Sequence, residues 1–116
     1  MNNRNIEKLI SQAIKKLHIL VDKDGKIDKK NQGYLASFGP TVIYSGIIRT
    51  VAIYGDKSDS NKKRREILKI MFSLINLDVD SFITNEQSST NYNLKNKILE
   101  ANIACKLAIR TFELKD

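Results

Sequence analysis

The chain has 116 residues, 41% of them hydrophobic and 28% charged, a balance that argues against a disordered tail and fits one folded domain over residues 1–116. Lysine and arginine number 20 against 13 acidic residues, a net charge of +7, so an anionic partner is expected, nucleic acid ahead of an acidic protein or membrane surface. One cysteine, Cys105, excludes an internal disulfide, and there is no CxxC motif or Cys/His cluster to hold zinc, so no cofactor is expected. No stretch approaches the roughly 20 apolar residues of a membrane span, and the first residues alternate charge with aliphatics instead of forming a signal-like apolar run, so a cytoplasmic protein without a membrane partner is expected.

Ile6, Leu9, Ile10, Ala13, Ile14 and Leu17 recur at three- and four-residue steps, which predicts an amphipathic helix from about Asn5 to Val21 with Lys8, Gln12, Lys15 and Lys16 on its polar face. The turn formers of DKDGKID end it. An EF-hand loop needs oxygen ligands at its first, third and fifth positions and glycine at the sixth; here Gly25 stands fourth, so no metal role is expected.

Lys29 to Phe38 reads as a second helix, stopped by Gly39 with Pro40 opening a third that runs to Tyr54. That third helix is apolar nearly all round through Val42, Ile43, Ile47, Ile48, Val51, Ala52 and Ile53, the pattern of a buried helix, with Ser45 and Gly46 as its small face. A polar linker leads to a fourth helix, with Ser60 or Asn61 as its cap and Ile67, Leu68, Ile70, Met71, Leu74 and Ile75 as its buried stripe. Asp78 to Asn93, including the Ser-Ser-Thr at 88–90, reads mostly as loop. Leu94, Ile98, Ala101, Cys105, Ala108 and Phe112 then mark a last helix with a tight seam. No segment alternates with period two, so the expected fold is all-α, a small bundle of about five helices.

No enzyme motif emerges: no GxSxG, P-loop, HExxH or dinucleotide fingerprint is present, and the one histidine, His18, follows Leu17 at a helix end, where a surface or boundary role is expected. A non-catalytic protein is the expectation. The basic residues say more. Lys62, Lys63, Arg64 and Arg65 stand together at a helix start, where the macrodipole disfavours cations; a solvated junction and a phosphate-contacting cluster both explain them. Lys106 and Arg110 share a helix face at a four-residue spacing that suits a nucleic-acid backbone, or equally an ion pair with a partner protein or with Glu113. Arg49, amid small and apolar neighbours, suits a bidentate phosphate or carboxylate contact, or a pairing with Asp56 or Glu100. Arg49 and Arg110 are each followed by threonine, whose hydroxyl can bond back to a helix carbonyl. Aromatics do not interleave with the basic cluster in sequence, so base stacking is not expected.

The segments YLASFGPTVIYSGIIRTVAIYG (34–55) and ILEANIACKLAIRTFEL (98–114) resemble the small, all-helical subunit of the Cmr complex, the type III-B CRISPR effector of antiviral defence. The Ser-Phe-Gly, the Ser-Gly followed by aliphatics and threonine, and the closing Lys-Leu-Ala-x-Arg-Thr-Phe carry the likeness, which covers about a third of the chain. The resemblance implies a non-catalytic subunit that packs along the backbone subunit of the complex, beside copies of itself, and helps line the path of CRISPR RNA and target RNA. Under it, Arg110 and Lys106 lie in the better-matched block. The alternative is a self-associating helical adaptor whose apolar helix at 41–54 meets protein and never RNA; a small nuclease is a third reading, with neither a metal cluster nor a base to support it.

Overall fold

The computed structural model describes residues 3–85 and 92–116. Six α-helices dominate it: α1 (Asn3–Leu17), α2 (Lys29–Ser45), α3 (Ile47–Tyr54), α4 (Lys62–Ser73), α5 (Val79–Thr84) and α6 (Tyr92–Ile109), with 3₁₀ turns at His18–Leu20 and Asp59–Asn61. The fold is all-α, as the periodicity predicts. None of the described helices is long and apolar enough to cross a membrane.

The helix α6 is the centre. Ala101, Ala104, Cys105 and Ala108 are all fully buried along it, and their small side chains let α1, α2 and α4 approach closely. Burial pushes the Cys105 thiol up to about 12, so at neutral pH this group is a protonated core side chain rather than a nucleophile. From the facing helices come Leu17 of α1, Leu35, Phe38 and Val42 of α2, and Ile67, Leu68, Met71 and Phe72 of α4, each nearly or wholly excluded from solvent. Asn102, buried on α6, donates from Nδ2 to the Leu35 carbonyl at 3.0 Å and so ties α2 to α6 at a fixed height.

α1 and α6 run side by side in the same direction. Asn5 and Leu9 lie beside Lys97 and Glu100 at one end, and at the other the His18 ring meets Phe112 edge-on at 5.0 Å. Each helix then turns into a three-residue strand, β1 (Lys26–Asp28) and β2 (Glu113–Lys115). The strands pair in parallel, Ile27 opposite Leu114. Alternation cannot be recognised in three residues, which is why periodicity misses them. Charge reinforces the pair: Lys26 lies 3.6 Å from Glu113, and Lys115 reaches Asp24 at 3.3 Å and Asp22 at 3.8 Å. The aspartates that resemble calcium ligands are used locally. Asp22 Oδ1 accepts the Asp24 and Lys26 N–H groups at 2.9 and 3.0 Å, and the Lys26 bond is foremost in holding its carboxyl below the usual carboxylate range.

The break between α2 and α3 lies elsewhere than the sequence reading put it. The Gly39-Pro40 pair does not end α2, which passes through Pro40 and stops at Ser45. Leu35, Phe38 and Val42 must all face the core, a requirement only a continuous helix meets, while Pro40 stands on the exposed side where water can serve the carbonyl it leaves unbonded. The chain turns at Gly46, with φ +83° and ψ 162°, a conformation open to glycine and costly for L-residues. The turn also exposes side chains expected to be buried: Ile43 is 81% exposed, and Ile53 half so.

The fourth helix and the segment after it also depart from the sequence expectation. Asn61 does stand at the N-cap position of α4, but makes no side-chain cap bond there. Its Nδ2 donates backward to the carbonyls of Ile53, Tyr54 and Asp56 at 3.2, 2.9 and 2.9 Å, closing the C-terminus of α3. The segment after Asp78 is not simply loop: Asp78 caps α5 by accepting the Ser81 N–H at 2.9 Å, and Phe82 packs edge-on against Phe72 at 5.5 Å. The Ser-Ser-Thr at 88–90 lies outside the described residues.

Urea denaturation of two glycine variants checks the helix boundary. A Cβ at Gly46 would meet no atom within 4 Å, so Gly46→Ala isolates the backbone cost and is expected to destabilise by about 1–3 kcal/mol. Gly39→Ala, with only Asn102 Oδ1 at 3.8 Å from the new methyl, is expected to be neutral or stabilising by up to about 1 kcal/mol. Equal losses at both positions would restore the break to Gly39.

Candidate basic contact surface

The four consecutive cations at the start of α4 do not act as one patch, because each turn of a helix points successive side chains in different directions. Lys62 projects into solvent. The Nζ of Lys63 donates to Asp28 Oδ2 at 2.7 Å. Arg64 lies over the Tyr34 ring, 4.8 Å from its centroid, and bonds Asn61 Oδ1 at 3.4 Å. Arg65 turns to the other side of α4 and donates from Nη1 to the Asp56 and Ser58 carbonyls at 2.8 and 3.2 Å. Three of the four therefore hold parts of the fold together.

Asp28 is the junction of that network. It ends β1, caps α2 by accepting the Lys30 N–H at 2.9 Å, and receives Lys63. The Lys63 hydrogen bond, then the Lys30 N–H, hold its carboxyl below the usual carboxylate range, and the same contact raises the Lys63 ammonium.

On the other flank of α2 lie Lys106 and Arg110. Arg110 is one residue past the end of α6 and exposed, yet it and Lys106 still share a surface, a groove of about 260 Å³ completed by Lys29, Gln32, Gly33 and Ala36. Gly33 and Ala36 keep its floor low. Glu113, a candidate partner for Arg110, pairs with Lys26 instead, and among the described residues no carboxylate lies within ion-pair distance of Lys106 or Arg110. Lys29 has Asp116 at 3.8 Å, a contact between two largely exposed groups that is worth little.

The sequence treats 62–65 and 106–110 as separate candidates; the fold brings Lys63 and Arg64 from one, and Lys106 and Arg110 from the other, around the first two turns of α2. Lys29 and Lys30 join them there. Sequence reasoning missed these two lysines and Tyr34, whose ring serves a cation 30 residues away. The start of α2, with its positive end of the helix dipole, was the signal available.

Arg49 stands apart. It is exposed on α3, and among the described residues it makes neither of the expected pairings: Asp56 is turned to the N–H and hydroxyl of Ser58, and Glu100 is buried on α6. The threonines that follow Arg49 and Arg110 both bond back to a main-chain carbonyl, Thr50 to Gly46 at 2.8 Å and Thr111 to Ala108 at 2.7 Å. Among the described residues no group of three or more His, Cys, Asp or Glu side chains is placed to hold a metal ion.

Comparison with known proteins adds no family: no protein-family model, curated protein or solved structure matches the chain.

Variants of Asp28 separate its two roles. Asp28→Ala removes cap and ion pair together and is expected to cost about 1–2 kcal/mol, while Asp28→Asn keeps the cap and loses about 0.5 kcal/mol. Because the folded-state value is depressed, the ion-pair contribution is complete above the ordinary carboxylate range near pH 4 and is lost as the pH falls through the folded value. Denaturation followed from pH 7 to about pH 2 should thus show the difference between wild type and Asp28→Asn vanish on the acid side.

Proposed function

We propose that this chain is a non-catalytic, RNA-contacting and subunit-packing member of a type III-B CRISPR (Cmr) ribonucleoprotein, similar to its small subunit. The observation that carries the reading is the gathering of Lys29, Lys30, Lys63, Arg64, Lys106 and Arg110 around the start of α2, against Asp28 and Asp116. Such a surface neutralises phosphates without reading bases: it offers cations and a low floor, and no array of exposed side chains for base edges. Lys106 and Arg110 are the primary contacts, Lys62 a solvent-facing auxiliary. Lys63 and Arg64 contribute charge while also bracing the fold, whereas Arg65 lies on the other side of α4 and takes no part. The chain's resemblance at 34–55 and 98–114 supplies the assembly: CRISPR RNA and target RNA as the anion, the backbone subunit and further copies as protein neighbours.

A second reading, the self-associating adaptor, is favoured by one specific observation. Ile43 and Tyr44, at the end of α2, are 81% and 89% exposed, and Ile53 and Arg49 are exposed on α3 just after them. Large apolar side chains beside an arginine are the residue types that anchor protein interfaces.

Fluorescence anisotropy with a short single-stranded RNA tests the first reading. Binding is expected to be sequence-independent and to weaken steeply with salt, and Lys106→Glu/Arg110→Glu should cut affinity about tenfold or more and lower the log–log salt slope by about 0.7 for each phosphate no longer neutralised. Unchanged affinity and slope would sink it. Affinity capture of the tagged chain from its host distinguishes the two: short guide RNAs with several larger subunits belong to the effector, whereas capture of copies of itself without RNA, abolished by Tyr44→Asp, belongs to the adaptor.

A further inference from the structure

A second concavity lies on the opposite side of α4 from the basic surface. It is a cleft of about 530 Å³ between α4, the loop after α3 and the start of α5, within the size range of small-molecule sites. Its floor is apolar, with Leu77 and Val79 half-buried above the fully buried Phe72. Its rim is charged, with Lys57, Arg65 and Lys69 facing Asp78 and Asp80.

These charges are not equivalent. Asp78 is committed to capping α5, where it accepts the Ser81 N–H at 2.9 Å. Asp80 and Lys57 face each other at 3.7 Å, both largely exposed, a contact weak enough to open for a ligand. Arg65 and Lys69, one helical turn apart, have no carboxylate within ion-pair distance among the described residues. The guanidinium of Arg65 is moreover held in place through Nη1 by the Asp56 and Ser58 carbonyls, an arrangement that leaves Nη2 and Nε for an incoming anion. The cleft therefore presents a cation pair of which Arg65 is preorganised, an apolar floor and, across from the pair, one carboxylate that accepts hydrogen bonds.

We propose that this cleft binds a nucleoside monophosphate, with its phosphate between Arg65 and Lys69, its base against Leu77 and Val79, and its sugar hydroxyls toward Asp80. A bare phosphate leaves the apolar floor and Asp80 unused. An uncharged nucleoside leaves the cations unmet. A fatty acid would fill the floor and oppose nothing to Asp80. The ligand that uses all three features carries an anion, a flat ring and hydroxyl donors. The proposal does not rest on the RNA-contacting reading, since Lys106 and Arg110 take no part in it.

Isothermal titration calorimetry of the full chain with adenosine 5′-monophosphate, uridine 5′-monophosphate, adenosine and inorganic phosphate tests it. At least one monophosphate is expected to bind about tenfold or more tightly than its nucleoside or phosphate alone. Lys69 is exposed, so Lys69→Glu leaves the fold intact, which its unfolding midpoint verifies, and it should weaken the monophosphate about tenfold; Lys106→Glu/Arg110→Glu should not change it. Neither monophosphate binding at about 10 mM, phosphate binding as tightly as the monophosphates, or Lys69→Glu binding as well as wild type would each overturn the site. Retained monophosphate binding with abolished RNA binding in the Lys106/Arg110 variant would show the two surfaces to be independent.

Discussion

The rest of this structure depends on how closely other helices can approach α6. Ala101, Ala104, Cys105 and Ala108 give it a seam with no side chain larger than a thiol, and α1, α2 and α4 converge on it. Small residues alone would leave a loosely specified core; the larger partners Leu17, Leu35, Phe38, Leu68 and Met71 fill the space they leave. The buried amide of Asn102, bonded to the Leu35 carbonyl, then selects one height for α2 among those that packing would tolerate.

That height has chemical consequences. With α2 fixed against α6, Lys106 and Arg110 come beside Lys29 and Gly33 across a shallow groove. Because α4 also packs on α2, Lys63 reaches Asp28 and Arg64 reaches Tyr34. Positive charge is thereby concentrated at a helix start, where it opposes the local dipole. The carboxylate of Asp28 offsets part of that repulsion, which makes it the hinge between stability and charge density at this end of the molecule. The same helix, α4, sends Arg65 the opposite way, where it braces the loop after α3 and lines a separate cleft.

Each helix was legible to the extent that its own burial pattern repeats. The three- and four-residue steps of Ile6 to Leu17 mark α1 because a single stripe of it is buried, while the steps of Ile98 to Ala108 mark α6 although that helix is buried around most of its circumference. The α2–α3 break was not legible, since Gly39-Pro40 is the stronger local stop signal and Gly46 the weaker; the shared burial of Phe38 and Val42 overrode the local preference. Asn61 was recognised as a boundary residue, but its amide serves the helix before it rather than the one after. The strands Lys26–Asp28 and Glu113–Lys115 are stabilised by pairing with each other across most of the chain, which no local window contains.

The sequence by itself determined an all-helical chain with a strong positive charge, a buried inert cysteine and threonines that return their hydroxyls to the main chain. These are properties of a residue and its near neighbours, and local spacing encodes them. Which cations stand together was decided only by the tertiary structure. Lys62 to Arg65 are adjacent in the chain and diverge around a helix, whereas Lys29 and Arg110 are far apart in the chain and line one groove. Helical geometry rotates successive side chains by about 100° each, so a charge run disperses unless packing gathers its members with others.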